Sequence, residues 1–121
     1  MKVVGIDKIP KVERIGNFFT GGLVTAQELA TKEMGSHFTM SQVNFGKGAR
    51  TKWHAHSTYQ LLIVTAGKGI VATEDEELVV GVGDAVFFPE DEKHWHGAAK
   101  DSDFSHISIV PLPSKMTQLE E

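Results

Sequence analysis

Two short histidine patterns are the part of this sequence best suited to chemistry. His54 and His56 are separated by one residue, and so are His94 and His96. Side chains two positions apart on a β-strand point to the same face, so each pattern offers both imidazoles to one side of a sheet. Neutral imidazole is a common metal ligand near pH 7. One such pattern alone is typical of a solvated edge strand, but two in strand context favour a metal site.

Gln60 is a candidate for a fourth metal ligand. It lies four residues after His56 and opens the apolar segment 60–64. A buried glutamine needs a polar partner, and its amide oxygen could bind a divalent ion held by His54, His56 and one histidine of the second pattern. The chain contains no cysteine, which excludes disulfides, thiolate nucleophiles and Cys-ligated metal centres. Any metal site must therefore use nitrogen and oxygen ligands.

The segments that carry these residues have the pattern of short β-strands. From Gly35 onward, Gly, Asp and Pro recur about every eight to twelve residues, and the intervening segments are rich in Val, Ile, Phe and Thr. This spacing predicts an all-β sandwich or barrel. The predicted strands cover residues 38–45, 52–56, 59–65, 69–73, 78–80, 85–88, 94–97 and 104–110.

Both ends of the chain lack this strand pattern. Thr25 and Glu28 have the spacing of a capping box, so we expect a short helical or irregular N-terminal segment. The segment after Pro111 and Pro113 is expected to fray or to pack on a neighbouring subunit. For Phe18 and Phe19, core packing is favoured over a position at the mouth of a barrel or in a dimer interface.

Length, charge and hydropathy limit the number of domains and the classes of partner that we expect. A chain of 121 residues is expected to form one domain over residues 1–121, and its 40% apolar and 23% charged residues are near globular averages. A net charge of −4, without a Lys/Arg cluster interleaved with aromatics, argues against nucleic-acid partners. There is no membrane-length apolar run and no signal-peptide core. We therefore expect a cytoplasmic protein without membrane partners.

The first histidine pattern resembles the first motif of the type-2 cupin family. That motif reads Gly, five residues, His-X-His, three or four residues, Glu, six residues, Gly. Here the matching positions are Gly48, His54, His56, Gln60 and Gly67, and only the acid differs, because glutamine replaces it.

The second histidine pattern resembles the second motif of the same family. That motif reads Gly, five residues, Pro-X-Gly, two residues, His, three residues, Asn. Gly83, Pro89 and His94 match it, whereas Asp91 replaces the second Gly and Ala98 replaces the final Asn. The resemblance implies an all-β fold, a cupin double-stranded β-barrel of jelly-roll type, with a barrel core over about residues 36–111 and the metal inside its mouth.

A narrower resemblance concerns the metal. Segments 48–54, 93–98 and 105–107 resemble small bacterial cupins related to manganese-dependent hydroxynitrile lyases, and cupins that accompany carboxymuconolactone decarboxylases. In that group the fourth protein ligand is often Gln. The resemblance implies one divalent metal ion per chain, with manganese first and Fe, Ni, Co, Cu or Zn left open. The implied ligands are His54, His56, Gln60 and His94.

His96 and His106 are the candidate catalytic residues. His96 shares strand parity with His94, so it should face the same cavity as a general base; the alternative is that it only binds water. His106 should line the pocket, the alternative being a core histidine bonded to backbone. By resemblance and alternation, the substrate pocket should also include Ser41, Val43, Ser108 and Val110. Trp53 and Trp95 have the opposite parity to the ligands and should point away from the metal.

Three functions remain open from the sequence. The first is a lyase of the hydroxynitrile type, because a neutral glutamine in place of glutamate raises the formal charge of the site from +1 to +2 and strengthens a Lewis acid. The second is an iron- or manganese-dependent dioxygenase resembling quercetinases. The third is a metal-bearing cupin that binds a small molecule without catalysis. In each case the expected partners are a small-molecule substrate and a second copy of the chain, in a homodimer or higher homo-oligomer.

Overall fold

The protein is built almost entirely from β-strands. The structure, a computed structural model, describes residues 1–121. Two 3-10 turns, Ile6–Lys8 and Lys32–Met34, are its helical segments, and neither has the length or hydropathy to cross a bilayer. The strands are β1 (Val12–Glu13), β2 (Phe19–Thr20), β3 (Val24–Ala30), β4 (Phe38–Phe45), β5 (Arg50–Thr51), β6 (His54–His56), β7 (Gln60–Thr73), β8 (Glu77–Gly81), β9 (Ala85–Phe88), β10 (His94–Ala98), β11 (Phe104–Pro111) and β12 (Met116–Gln118).

The strands form two curled, antiparallel halves that share β7. One half runs in the order β1-β3-β4-β11-β7, with β9 also pairing to β7. The other half runs in the order β7-β10-β5-β2. In this half β8 also pairs with β7, β6 pairs with β10, and β12 pairs with β6. Every strand pair is antiparallel. The predicted all-β, jelly-roll-like barrel is therefore confirmed.

The strand β7 joins two strands that the sequence predicted separately, 59–65 and 69–73. Its first part pairs with β11 and β9, and its second part pairs with β10 and β8. A register shift against β11 and the left-handed backbone of Gly67 (φ 70°) accommodate the change of direction. A side chain at Gly67 would meet the backbone carbonyl of Asp103. Gly67, which the sequence analysis left between two predicted strands, thus forms a bend within one continuous strand.

The expectation of a capping box at Thr25 was wrong. Thr25 and Glu28 lie in β3, which pairs with β4 on one side and β1 on the other. Val24 and Ala26 are buried on its inner face. Long-range pairing and burial outweigh the local capping preference at this position.

The C-terminal segment packs on its own chain, contrary to the expectation that it would fray or reach a neighbour. Its strand β12 pairs with β6, the strand that carries His54 and His56. Beyond it, the Glu120 carboxylate accepts two hydrogen bonds from the Arg50 guanidinium, at 2.9 and 3.2 Å, and one from the backbone N–H of Trp53 at 2.9 Å. This tail therefore supports the strand that carries the first histidine pattern.

The hydrophobic core fills the space between the two halves. Alternate residues of the strands point inward, as a two-residue side-chain period requires. Ten of the buried apolar residues form one cluster: Val24, Phe45, Ala49, Leu62, Val64, Val71, Val80, Phe88, Ala98 and Phe104. The same interior also holds four buried histidines, His54, His94, His96 and His106. Their position makes the interior of the barrel the candidate location of a functional site.

The close contact between β10 and β5 gives a test of the fold. A Cβ added at Gly97 would lie 2.5 Å from both the Ala49 carbonyl oxygen and the Arg50 Cα, neither of which can move freely. We expect Gly97→Ala to lower the free energy of unfolding by about 1–3 kcal/mol in urea denaturation. The control is Gly81→Ala, because a Cβ there meets no atom within 4 Å. Equal stability of the two variants would contradict this packing.

Candidate metal centre

Three histidines from two neighbouring strands converge inside the barrel. His54 and His56 belong to β6 and His94 to β10, and the register of the two strands sets His94 directly opposite His54. The potential ligand atoms of all three lie within 4.8 Å of one another. The rings of His54 and His94 are 4.3 Å apart, measured between centroids. Folding thus brings two histidine patterns that are forty residues apart in the sequence into one side-chain cluster that could hold a metal ion.

Backbone carbonyls fix the orientation of two of these rings. His54 Nδ1 lies 2.7 Å from the carbonyl oxygen of Lys52, and His94 Nδ1 lies 2.8 Å from that of Glu92. In both cases the acceptor is two residues upstream. A ring that donates its Nδ1–H to a carbonyl keeps the lone pair on Nε2, which is the usual support for a metal-binding histidine.

Gln60 brings an amide oxygen to the same cluster. Its Nε2 donates to Ser108 Oγ at 2.9 Å, and its Oε1 lies 3.0 Å from His94 Nε2. With the proton of His94 on Nδ1, this second contact joins two atoms that both carry lone pairs. The opposite orientation of the Gln60 amide would let Nε2 donate to His94 and Oε1 accept from the Ser108 hydroxyl, whereas the orientation described here presents Oε1 to the cluster as a potential ligand.

Burial also keeps the imidazoles of this cluster neutral. Desolvation, partly offset by the Glu92 carbonyl, lowers the pKa of His94 to about 4. Desolvation, reinforced by the charge of His94, lowers the pKa of His54 to about 3, and burial also lowers the pKa of His56. All three imidazoles are therefore neutral near pH 7.

The donor set fits a divalent cation. The Nδ1 atoms of His54 and His94 are bonded to backbone carbonyls, which leaves their Nε2 atoms as ligands, and His56 Nε2 is buried without a hydrogen-bond partner. Three neutral imidazoles and an amide oxygen are suitable ligands for several divalent first-row metals. A cation would satisfy lone pairs that the protein itself leaves unpaired.

A second pair of histidines lies beside the cluster. His96 and His106 are 4% and 0% exposed, and His106 Nε2 is 3.0 Å from His96 Nδ1. The backbone N–H of His96 donates to Thr51 Oγ1 at 3.1 Å. Desolvation lowers the pKa of His106 to about 3; desolvation, then the charge of His106, lowers the pKa of His96 well below its usual value. The pair consists of two neutral rings that share one hydrogen bond.

Both histidine groups adjoin a small cavity. Its volume is about 230 Å³, below the range of about 300–1,000 Å³ that is usual for sites of drug-sized ligands. It therefore suits a small organic molecule. The cavity is lined by Arg14, Phe18, Phe19, Val43, Phe45, Thr51, His54, His56, Gln60, His96, His106 and Ser108.

The predicted pocket residues divide into two groups. Val43 and Ser108 line the cavity together with His96 and His106. Ser41 and Val110 do not. Ser41 lies opposite Ser108 across the β4–β11 pair, and Val110 lies further along, opposite Thr39. At the level of the Ser41–Ser108 pair, the cavity is therefore lined from β11 and not from β4.

Several lining residues were missed by the sequence analysis. Phe18 was expected in the core, but its ring packs edge-on against His54 at 4.7 Å and lines the cavity, whereas Phe19 both lines the cavity and packs against the core. Phe45 follows the same alternation as Ser41 and Val43 and could have been found from it. Thr51 could not, because the strand is interrupted between β5 and β6 and the alternation breaks there.

The two tryptophans point away from the site, as their parity indicated. Neither lines the cavity. The ammonium of Lys93 lies 5.2 Å from the Trp53 ring centroid, and the guanidinium of Arg50 lies 5.0 Å from that of Trp95. Both rings thus form cation–π contacts outside the histidine cluster.

A curled antiparallel barrel with histidines gathered in its interior defines the class of small β-barrel proteins known as cupins. Residues 41–110 match the cupin domain family Cupin_2. This match covers more than half of the chain. The protein therefore belongs to the cupin domain family.

Comparisons with individual proteins agree with this assignment. The chain is 46% identical over 70 residues to an (R)-mandelonitrile lyase of Granulicella tundricola, a match that covers 57% of this chain and 53% of the relative. The chain thus spans about half the length of this curated relative. A cupin-like protein of Thermotoga maritima is 35% identical, with a TM-score of 0.87 over 95% of this chain and 90% of its own. The polyketide cyclase RemF of Streptomyces resistomycificus is 20% identical, with a TM-score of 0.84 over 100% and 88%, and shares the fold.

The neutral glutamine gives a first test of the metal centre. We expect Gln60→Glu to tighten binding of a divalent ion by about tenfold, because a carboxylate adds one negative charge, partly offset by its own desolvation. With a redox-active metal, the reduction potential should also fall. Competition with a chelator and elemental analysis would measure retention. Gln118→Glu makes the same charge change at an exposed position and should have no effect. Unchanged retention and potential in Gln60→Glu would contradict the ligand role.

The buried histidines predict how the metal-free protein responds to acid. Their folded pKa values, about 3 for His54 and about 4 for His94, lie below the unfolded value of about 6.5. The unfolded chain therefore binds more protons than the native one between these limits, and stability falls as pH drops below about 6.5. The expected slope is about 1.4 kcal/mol per pH unit for each such histidine.

Urea denaturation of metal-free protein at a series of pH values would measure this loss. Stability should be flat above about pH 7. Added divalent metal should oppose the loss because it occupies the same lone pairs. A free energy of unfolding that stays constant from pH 7 to 5 would show that these imidazoles are not buried in the neutral form.

Proposed function

We propose that this cupin binds one divalent metal ion and acts as a lyase of the hydroxynitrile type on a small oxygen-bearing molecule. The metal ligands in this proposal are His54, His56, Gln60 and His94. The observation that carries it is the convergence of the His54, His56 and His94 ligand atoms within 4.8 Å of one another, with Gln60 Oε1 3.0 Å from His94 Nε2, beside a cavity of small-molecule size. The relative that is named (R)-mandelonitrile lyase supports the choice of reaction.

A divalent ion held by these ligands would supply Lewis-acid polarisation of a substrate oxygen. All four ligands are neutral, so the formal charge of the loaded site is +2. Manganese is the metal we propose first, on the basis of the cupins that this sequence resembles. Elemental analysis of protein purified without a histidine tag and without added metal would test that choice.

In this proposal His96 moves the proton. In the tautomer in which its Nδ1–H donates a hydrogen bond to His106 Nε2, its own Nε2 carries the lone pair that can serve the cavity. Because burial keeps the ring neutral, Nε2 can accept the hydroxyl proton of a cyanohydrin. The electron pair of the O–H bond then forms the carbonyl, the bond to the nitrile carbon breaks, and cyanide leaves with the electron pair of that carbon–carbon bond. Return of the proton from His96 to cyanide gives hydrogen cyanide and an aldehyde.

His106 and the apolar lining act as positioning groups. The bond between His96 and His106 fixes the rotation of the His96 ring, and Thr51 Oγ1 holds the His96 backbone. Phe18, Phe45 and Val43 offer an apolar surface to the body of the substrate. Packing against these side chains would exclude water from the reacting group and favour a cyanohydrin with an aryl or alkyl body.

The proposal predicts metal-dependent cleavage of mandelonitrile to benzaldehyde and cyanide. Activity should disappear after chelation and return with Mn²⁺. In His96→Ala and His96→Gln we expect a loss of about a hundredfold or more with metal content unchanged, because a general base typically contributes that much. His37→Ala, at a position away from the cavity, is the matched control.

Several outcomes would overturn the proposal. Absence of metal-dependent turnover across a panel of aromatic and aliphatic cyanohydrins would leave a binding function. Oxygen consumption with flavonols or diketones in place of cyanide release would indicate a dioxygenase. Full activity of both His96 variants with normal metal content would remove His96 from the proton transfer.

A further inference from the structure

One charged side chain, Arg14, borders the cavity. The other lining residues are histidines, apolar residues and uncharged polar residues. No acidic residue is among them. The cavity therefore combines a potential metal site with neutral ligands and a permanent positive charge, and it contains no anion to balance either.

The backbone holds Arg14 where the chain passes from one half of the barrel to the other. β1 pairs with β3 in the first half, and β2 pairs with β5 in the second. Residues 14–18 make the connection between them. The Arg14 N–H donates to the Val24 carbonyl at 2.8 Å, and the Phe18 carbonyl accepts from the Lys52 N–H at 2.8 Å. Both ends of this connection are thus anchored, and its two end residues border the cavity.

The guanidinium of Arg14 has no ion-pair partner in the protein. The ion pairs of the structure join Lys8 to Asp7, Arg50 to Glu120 and Lys68 to Asp101. The other arginine, Arg50, is satisfied by a two-point contact with a carboxylate. Arg14 has the same forked donor geometry available for a carboxylate from outside the protein.

We propose that Arg14 determines specificity by binding an anionic group of the substrate, and that the preferred substrates are small organic acids. Their hydroxyl or carbonyl oxygen would face the histidine cluster, their apolar body would contact Phe18 and Phe45, and their carboxylate would pair with Arg14. This inference rests on the proposed function for the position of the reacting oxygen. It adds a substrate class, the carboxylate-bearing molecules, which the lyase proposal does not require.

Two ligands of nearly equal shape test the inference directly. 4-Formylbenzoate carries a carboxylate, and 4-formylbenzamide carries a neutral amide at the same position. Titration calorimetry with the metal-loaded protein should show about five- to tenfold tighter binding of the acid. That preference should weaken at high salt because Arg14 is exposed.

Three variants assign the preference to Arg14. Arg14→Gln should bind both ligands equally, and Arg14→Lys should retain part of the preference. Lys11→Gln removes the same charge three residues away, at a position outside the cavity, and should behave like the unaltered protein. Equal binding of the two ligands by the unaltered protein, or an unchanged preference in Arg14→Gln, would overturn the inference.

Repeating the titrations without metal separates two sources of the preference. If the acid is preferred only when metal is present, and equally so in Arg14→Gln, the carboxylate binds the metal and the role of Arg14 is wrong. If the preference depends on Arg14 while mandelonitrile is not cleaved, the lyase proposal fails and the anionic-ligand inference stands. If mandelonitrile is cleaved without any Arg14-dependent preference, the lyase proposal stands and the anionic-ligand inference fails.

Discussion

The pairing register between β6 and β10 is the constraint on which the site depends. It sets His94 opposite His54, and the two-residue alternation then brings His56 and His96 to the same interior. A slip of either strand by one residue would turn its two histidines to the other face of the sheet and separate them from the pair on the neighbouring strand. The register has support on both sides, since β10 also pairs over five residues with β7, while β12 pairs along the whole of β6. The histidine cluster is thus held together by backbone hydrogen bonding between strands.

Neutrality is the second property that these residues share. Burial disfavours the charged form of each interior histidine, and the carbonyls of Lys52 and Glu92 orient two rings without adding charge. Glutamine in place of the family's glutamate continues this pattern. A cation held by these residues would keep its charge uncompensated, and that charge would be available to a substrate oxygen or to an anionic ligand.

Much of the barrel and the histidine cluster was predictable because both follow from local alternation. The spacing within each histidine pattern and the motif distances to Gly48 and Gly83 were sufficient to bring His54, His56 and His94 together. Residues that reach the cavity through long-range pairing were not predictable. Arg14 belongs to no motif, and its place depends on β1 and β2 pairing with opposite halves. The strand at Thr25 was missed for the same reason, since its capping signal is local and its pairing partners are distant.

The continuity of β7 ties the two halves of the barrel into one cooperative unit. Gln60 begins this strand in the half that contains β9 and β11, whereas His94 lies on β10, which pairs with the end of the same strand in the other half. Neither half can open without disrupting a strand that the other needs. Amide protons along β7 should therefore exchange together with those of β10 and β11, through global unfolding. An intermediate with only one half formed would lack part of the site, so retention of a bound metal would report that both halves of the barrel are folded.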